Sequence, residues 1–444
     1  MVLNPEFRRY CWLELTPHRL IAAPLIAGLI LVLVGAAGSI DALSTAGLIG
    51  FAVCALAYGG FLAMGATPEE VRERTWDFQR MSALTPSQLA FGKVFGAPVV
   101  GWYAGAWFLA AFILFGPQKH GFDTLLIAAT AVFTTVALHA TAVILGTLAA
   151  RAGMAKNSGA VFFLFVIWTF AIPAQWMGED QHLTQWWGLG IPRYWFFLVS
   201  SMLFAGWAWM GAARTFAVDL RVRLLPWAWL AFCLFLGIWG GGLLDAKAGA
   251  HASRIAVVLL VFLLAAGLGA YALLLSEKTQ AITVKRVLRT LAGELEGGME
   301  RVLQSLPLWS VSLCATWVAA LLLLVVPWGT GWVGVIQDIA TEGKAMPLAL
   351  AAMLTRDAGL YCIFALARFP RRPATATIMY LVLLDGVLPG LMQVAGLKTV
   401  SFLVFPLGQA SALGALVIFL VQAAVTWTIA WWRWSEGQKT DLTT

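Results

Sequence analysis

The stretch ERTWDFQRMSALTPSQLAFGK, residues 73–93, is charged, aromatic and interrupted by Pro86. The chain on either side of it is apolar enough to lie in lipid. A polar segment between two such runs reads as a structured connection between membrane spans. The side of the membrane it faces decides what it can touch.

The 444 residues are 61% hydrophobic and 11% charged. Soluble domains carry roughly 25% charged residues, so the composition is that of an integral membrane protein. At ~20 residues per span, apolar runs mark about twelve spans: 20–38, 43–65, 95–115, 124–148, 160–176, 196–214, 224–243, 254–275, 308–328, 346–367, 374–394 and 409–431. The first run is longer than the apolar core of a removable signal. The predicted fold is an all-α polytopic bundle of about twelve transmembrane helices.

The formal net charge is +7, but its distribution follows the membrane and not a nucleic acid. Of the 29 Lys and Arg residues, 22 fall in the termini and alternate connections that share one side, 6 fall in the opposite loops, and Arg356 lies within a run. Basic residues stay on the cytoplasmic side, so both termini and residues 73–93 are expected there. Trp176, Trp186, Trp187 and Trp195 cluster in one outer loop, and Trp431, Trp432 and Trp434 at the last inner boundary. Indole rings favour those headgroup zones. Cys11, Cys54, Cys233, Cys314 and Cys362 include no CxxC pair; they read as apolar packing residues, with no disulfide or metal.

Thr-Pro occurs at 16–17, 67–68 and 85–86, each time on the predicted inner side. Threonine caps free N–H groups, and proline suits the first helical position. Thr67 with Glu70 and Thr85 with Gln88 have the spacing of capping boxes. The expectation is a helix from Pro68 to Ala83 and another from Pro86 into the third span. Asn4-Pro5 begins a short interfacial helix with Phe7, Tyr10 and Cys11 on one face.

Two halves are suggested, 1–215 and 216–444, each of six spans. The long inner connections 66–94 and 276–307 take corresponding places. The second carries an amphipathic stripe, Val284, Val287, Leu288, Leu291, Leu295, Met299, Val302, Leu303 and Leu306. "ARAGMAKN" and "ARFPRRPA" follow at matching positions. Halves with six spans each share one orientation, so the repeats would be parallel.

The segment ERTWDFQRMSALTPSQLAFGKVFG resembles the cytoplasmic segment of type-2 ABC exporter permeases. Glu73, Arg74 and Thr75 match its start, Thr85, Pro86 and Ser87 its turn, and Gly92 and Lys93 its end. Arg74 stands where glycine is usual, and Trp76 and Asp77 replace a Leu-Glu pair. The N-terminal NPEFRRYCWLEL resembles the family's interfacial helix, and residues 173–195 its outer helical hairpin. The resemblance implies a transport subunit, not an enzyme, that exports a substrate across a bacterial inner membrane with a separate ABC ATPase. The chain has no GxxxxGK[ST] phosphate loop, so ATP and magnesium would be held by the partner. One chain would supply both halves to two ATPase copies, or pair with a second permease chain. Glu73, Arg74, Trp76, Phe78, Arg80, Thr85, Pro86 and Lys93 would form the ATPase-coupling elbow, with Trp76 and Phe78 as anchors in a groove.

Within the spans, Arg356, Asp357 and Asp385 are charges in lipid, each costing at least ~2.5 kcal/mol unless paired or facing a cavity. Arg356 with Asp385 is the expected bridge between the tenth and eleventh spans. His139 in the fourth span reads as a hydrogen-bonded packing residue. These four are the candidates for a substrate path. Two rival classes stand beside this reading. An ion-coupled carrier would rest on Asp357, Asp385 or His139. A membrane-embedded transferase would rest on the outer groups Glu179, Asp180 and His182, or on His120 and Asp123.

Overall fold

The structure, a computed structural model, describes residues 4–117, 121–151, 183–222, 224–248, 253–277, 284–285, 289–290, 298–328, 343–367, 373–407 and 411–441. The chain divides into two compact units: Met1–Thr184 with Gly190–Leu224, and Gln185–Leu189 with Leu225–Thr444.

The first unit opens with α1 (Pro5–Glu14) and α2 (Pro17–Ala37). A 33-residue helix follows, α3 (Ile40–Arg72), then the short α4 (Trp76–Met81). Next come the bent pair α5 (Pro86–Gly96) and α6 (Val99–Phe115), which meet at 52°, then α7 (Asp123–Arg151) and α8 (Arg193–Asp219). Its core joins Met64, Trp76, Leu89, Val94, Val143 and Phe216, with a second cluster around Ala27, Phe51, Ala55 and Phe108.

The second unit contains α9 (Trp227–Ala248), α10 (Arg254–Ser276), α11 (Gly298–Ser305), α12 (Leu308–Val325), α13 (Met346–Ala365), α14 (Pro373–Val394), α15 (Lys398–Val404) and α16 (Ala412–Asp441). Its cores gather on α13, whose alanines at 349, 351, 352 and 358 let neighbouring helices approach closely.

Ten helices among the described residues are long and apolar enough to cross a membrane, and the bent pair α5/α6 brings the number to eleven. The chain is a predominantly helical, multi-pass membrane protein. The run 160–176 and most of the stripe in 276–307 lie outside the described residues, as do Glu179, Asp180, His182 and His120.

Two expectations are corrected. Thr67-Pro68 does not start a helix, because α3 passes through both residues. Thr67 is buried, with its hydroxyl 3.1 Å from that of Thr147. Proline costs an interior helix one N–H bond, here to the carbonyl of Met64. Gly146 of α7 packs against that carbonyl so closely that a Cβ would sit 2.1 Å from it. The second correction is in the outer loop. Among its described residues, β1 (Leu183–Trp186) and β2 (Leu189–Pro192) form a two-stranded hairpin and not helices. Trp187 and Gly188 both have positive φ, 52° and 74°, as a two-residue hairpin turn of matching twist requires. Within the second unit the turn is pinned to α9, where Trp187 N–H donates to Gly242 O (3.1 Å) and Trp186 Nε1 to Trp239 O (3.0 Å).

Among the described residues, three stretches are wound as π-helix: Ala52–Tyr58 in α3, Gly92–Gly96 in α5 and Val382–Val387 in α14. Such segments recur at functional positions, and each here touches a polar group.

Candidate functional site: a clamped elbow

Residues 73–85 form the elbow between α3 and α5. The end of α3 is a Schellman cap: Thr75 N–H bonds Glu70 O (2.9 Å) and Arg74 N–H lies 3.3 Å from Val71 O. Arg74 occupies the left-handed position at φ 60°, where glycine is cheapest. α8 ends the same way. Val222 N–H bonds Ala217 O (2.9 Å), Arg221 N–H bonds Val218 O (3.0 Å), and Arg221 stands at φ 57°. Both arginines are exposed, and a cation at a helix C-terminus favours the dipole. Arg74→Gly should therefore raise stability by about 0.5–1 kcal/mol. Urea unfolding of the purified protein reads it, and a loss on substitution contradicts the strain.

α5 begins as the sequence predicts. Thr85 Oγ1 accepts from Gln88 N–H (3.3 Å), and Gln88 Oε1 accepts from Thr85 N–H (2.9 Å), closing the capping box ahead of Pro86. At the N-terminus Asn4 Oδ1 accepts from Glu6 and Phe7 N–H (3.0 and 3.2 Å), and its Nδ2 donates to Gln88 O (2.9 Å). α1 is thus fastened to α5. Two glycines admit it: a Cβ on Gly92 would lie 2.2 Å from Glu6, and one on Gly96 3.0 Å from Tyr10.

Beneath α1 lies an ion cluster that the sequence did not reveal, with Glu70 at its centre. Glu70 Oε1 accepts from Arg9 Nη2 (2.6 Å), Gln79 Nε2 (2.7 Å) and Tyr10 OH (3.0 Å), and Oε2 receives Lys93 Nζ. Glu6 takes a forked pair from Arg9 at 2.6 and 3.1 Å and stands 4.0 Å from Lys93 Nζ. Two carboxylates face two cations, so the cluster is neutral. Burial of the Arg9 guanidinium works against its charge, yet the hydrogen bond and charge of Glu6 outweigh it and hold the group above its ordinary range. Burial, then the charge of Glu70, raises the Tyr10 phenol, which stays a donor.

This geometry separates the expected coupling residues. Phe78 is 72% exposed and Met81 75% exposed. Glu73 and Arg74 are exposed as well, and Arg80 reaches Asp77 at 3.5 Å. Trp76 and Lys93, expected to face a partner, do not: Trp76 packs on Phe216 with centroids 5.9 Å apart, and Lys93 is wholly buried with its Nζ 5.3 Å from the Trp76 ring. Apolar bulk from α8 and the carboxylate of Glu70 draw them inward. Asp77, Arg80 and Met81 face Asp219, Leu220 and Arg221 across a cleft of about 300 Å³. The elbow therefore presents an apolar tip beside a cleft with charged walls, on a rigid base.

The intramembrane candidates fall into two places. In the first unit His139 is fully buried, its Nε2 donates to Ala55 O (2.9 Å) within the first π segment, and its ring meets Trp102 edge-on at 5.2 Å. In the second unit Arg356, Asp357 and Asp385 come together. Arg356 Nη2 lies 2.6 Å from Asp357 and 2.8 Å from Asp385. Arg356 Nη1 donates to Gln422 Oε1 (3.2 Å), and Tyr271 OH donates to Asp357. Compared with family models, curated proteins and solved structures, the chain matches none of them.

Proposed function

We propose that the chain is the membrane-spanning permease of an ATP-driven exporter of the type-2 ABC class, with the elbow as the contact for a separate ATPase. The observation that carries this reading is the tip of α4. Phe78 and Met81 project from a helix whose base is fixed by a buried, neutral ion cluster. A large exposed apolar pair with a charged rim suits insertion into a groove, and a rigid base transmits the groove's movement to α3 and α5. The Lys/Arg bias puts the elbow in the cytoplasm, with both termini, and a bacterial inner membrane is the setting. Twelve spans in two parallel halves, with two ATPase copies or a second permease chain, belong to the same proposal. The division into two compact units supports it.

The test is affinity capture of the full chain from its native membranes. The expected companion is a protein with a GxxxxGK[ST] loop, and ATP hydrolysis in the captured complex. Phe78→Ser should lower the recovery of that protein about tenfold or more, and charge reversal at Arg74 and Arg80 should lower it further. Undiminished capture with all three changes, or transport driven by a proton gradient without any ATPase, would overturn the assignment.

A further inference from the structure

The cluster in the second unit is not balanced. Arg356 is one cation facing two carboxylates, Asp357 and Asp385. Asp357 is satisfied on both oxygens, by Arg356 and by Tyr271 OH. Asp385 gives Oδ2 to Arg356, while its Oδ1 is shielded from solvent and has no hydrogen-bond partner among the described residues. Among the described residues, the groups that face Asp385 are Arg356 and Asp357 from α13 and Tyr271 from α10, with the uncharged Gln422 from α16. None supplies a second positive charge. In a low-dielectric span an excess negative charge is costly and attracts a counter-charge.

There is room for one. A Cβ placed on Gly386 would meet nothing within 4 Å, and the Asp385 side chain is 24% exposed. Beside it on α14, Val382 is 59% exposed and Gly386 is exposed as well, so the approach is apolar and open. The residue also lies in the π-wound stretch Val382–Val387. A ligand that reaches this carboxylate from the side of α14 must therefore be lipophilic, and one positive charge is the amount that restores neutrality.

We propose that Asp385 is an intramembrane subsite for the cationic head of a lipophilic monocation, an ammonium or phosphonium. The inference deepens the permease reading, from which it takes its meaning as a substrate contact. The probe is tetraphenylphosphonium, with tetraphenylborate as its anionic counterpart of the same shape, added to the purified full chain in nanodiscs without any ATPase. Saturable phosphonium binding is expected, weakened about tenfold or more by Asp385→Asn and retained by Asp385→Glu. Tetraphenylborate should show no Asp385-dependent binding. Equal phosphonium binding by the native chain and a well-folded Asp385→Asn variant would overturn the subsite, as would Asp385-dependent binding of the borate. So would a response to pH alone with no binding of the cation. Binding is read without an ATPase and capture is read at the elbow, so failure of one proposal is distinguishable from failure of the other.

Discussion

Replacing Glu70 with alanine is expected to destabilise the protein by about 3–5 kcal/mol. The substitution removes the acceptor for Arg9, Tyr10, Gln79 and Lys93 at once. Lys93 has no exposed surface, so its ammonium would be left in an apolar site with Glu6 4.0 Å away as its remaining counter-charge. The loss reads as a lower midpoint of thermal unfolding and as faster proteolysis within residues 73–85. A double change, Glu70→Leu with Lys93→Met, keeps the charge sum at zero through Glu6 and Arg9. It should recover most of the stability, because an apolar replacement of a buried pair is often neutral. If Glu70→Ala alone unfolds no earlier than the native chain, the cluster does not hold the elbow.

The second large effect is expected at Arg356. Arg356→Leu leaves Asp357 and Asp385 in a membrane-embedded site without their cation, and should also cost about 3–5 kcal/mol. Combining it with Asp357→Leu and Asp385→Leu removes the charges together and should restore the unfolding midpoint. If the triple variant is no more stable than the single one, packing of the Arg356 side chain on the Phe419 ring, 5.1 Å away, and not its charge, holds the site.

Local rules were legible in the sequence, while the pairings that depend on distant chain were not. Asn4-Pro5 and Thr85-Pro86 cap helices because everything the cap needs lies within four residues. Thr67-Pro68 carries the same letters but sits in a helix that is already wound. Its surroundings on α7, Thr147 and Gly146, decide its role. The burial of Trp76 depends on Phe216, far along the chain. Glu70 has a spacing that fits a capping box, and that local explanation hid its pairing with Lys93. Charges in lipid were the exception: a span offers them few partners, so Arg356 with Asp385 could be foreseen, although Tyr271 could not. The outer turn is not legible: a helical hairpin there is what the resemblance implies, and tryptophan rarely takes the left-handed backbone of Trp187. Only its anchoring to Gly242 and Trp239 shows why it does so here.

Each π-wound stretch is, in effect, a helix with one residue too many for its span. Deleting a single residue from 382–387 would turn α14 into an ordinary rod, leave the faces beyond the stretch where they are, and shift Asp385 around the axis by up to about 100°. The result would be a smoother cylinder with its acid rotated away from the guanidinium. The surplus residue is what steers that acid, so a length change of one should silence the site more thoroughly than most exchanges of side chain within it.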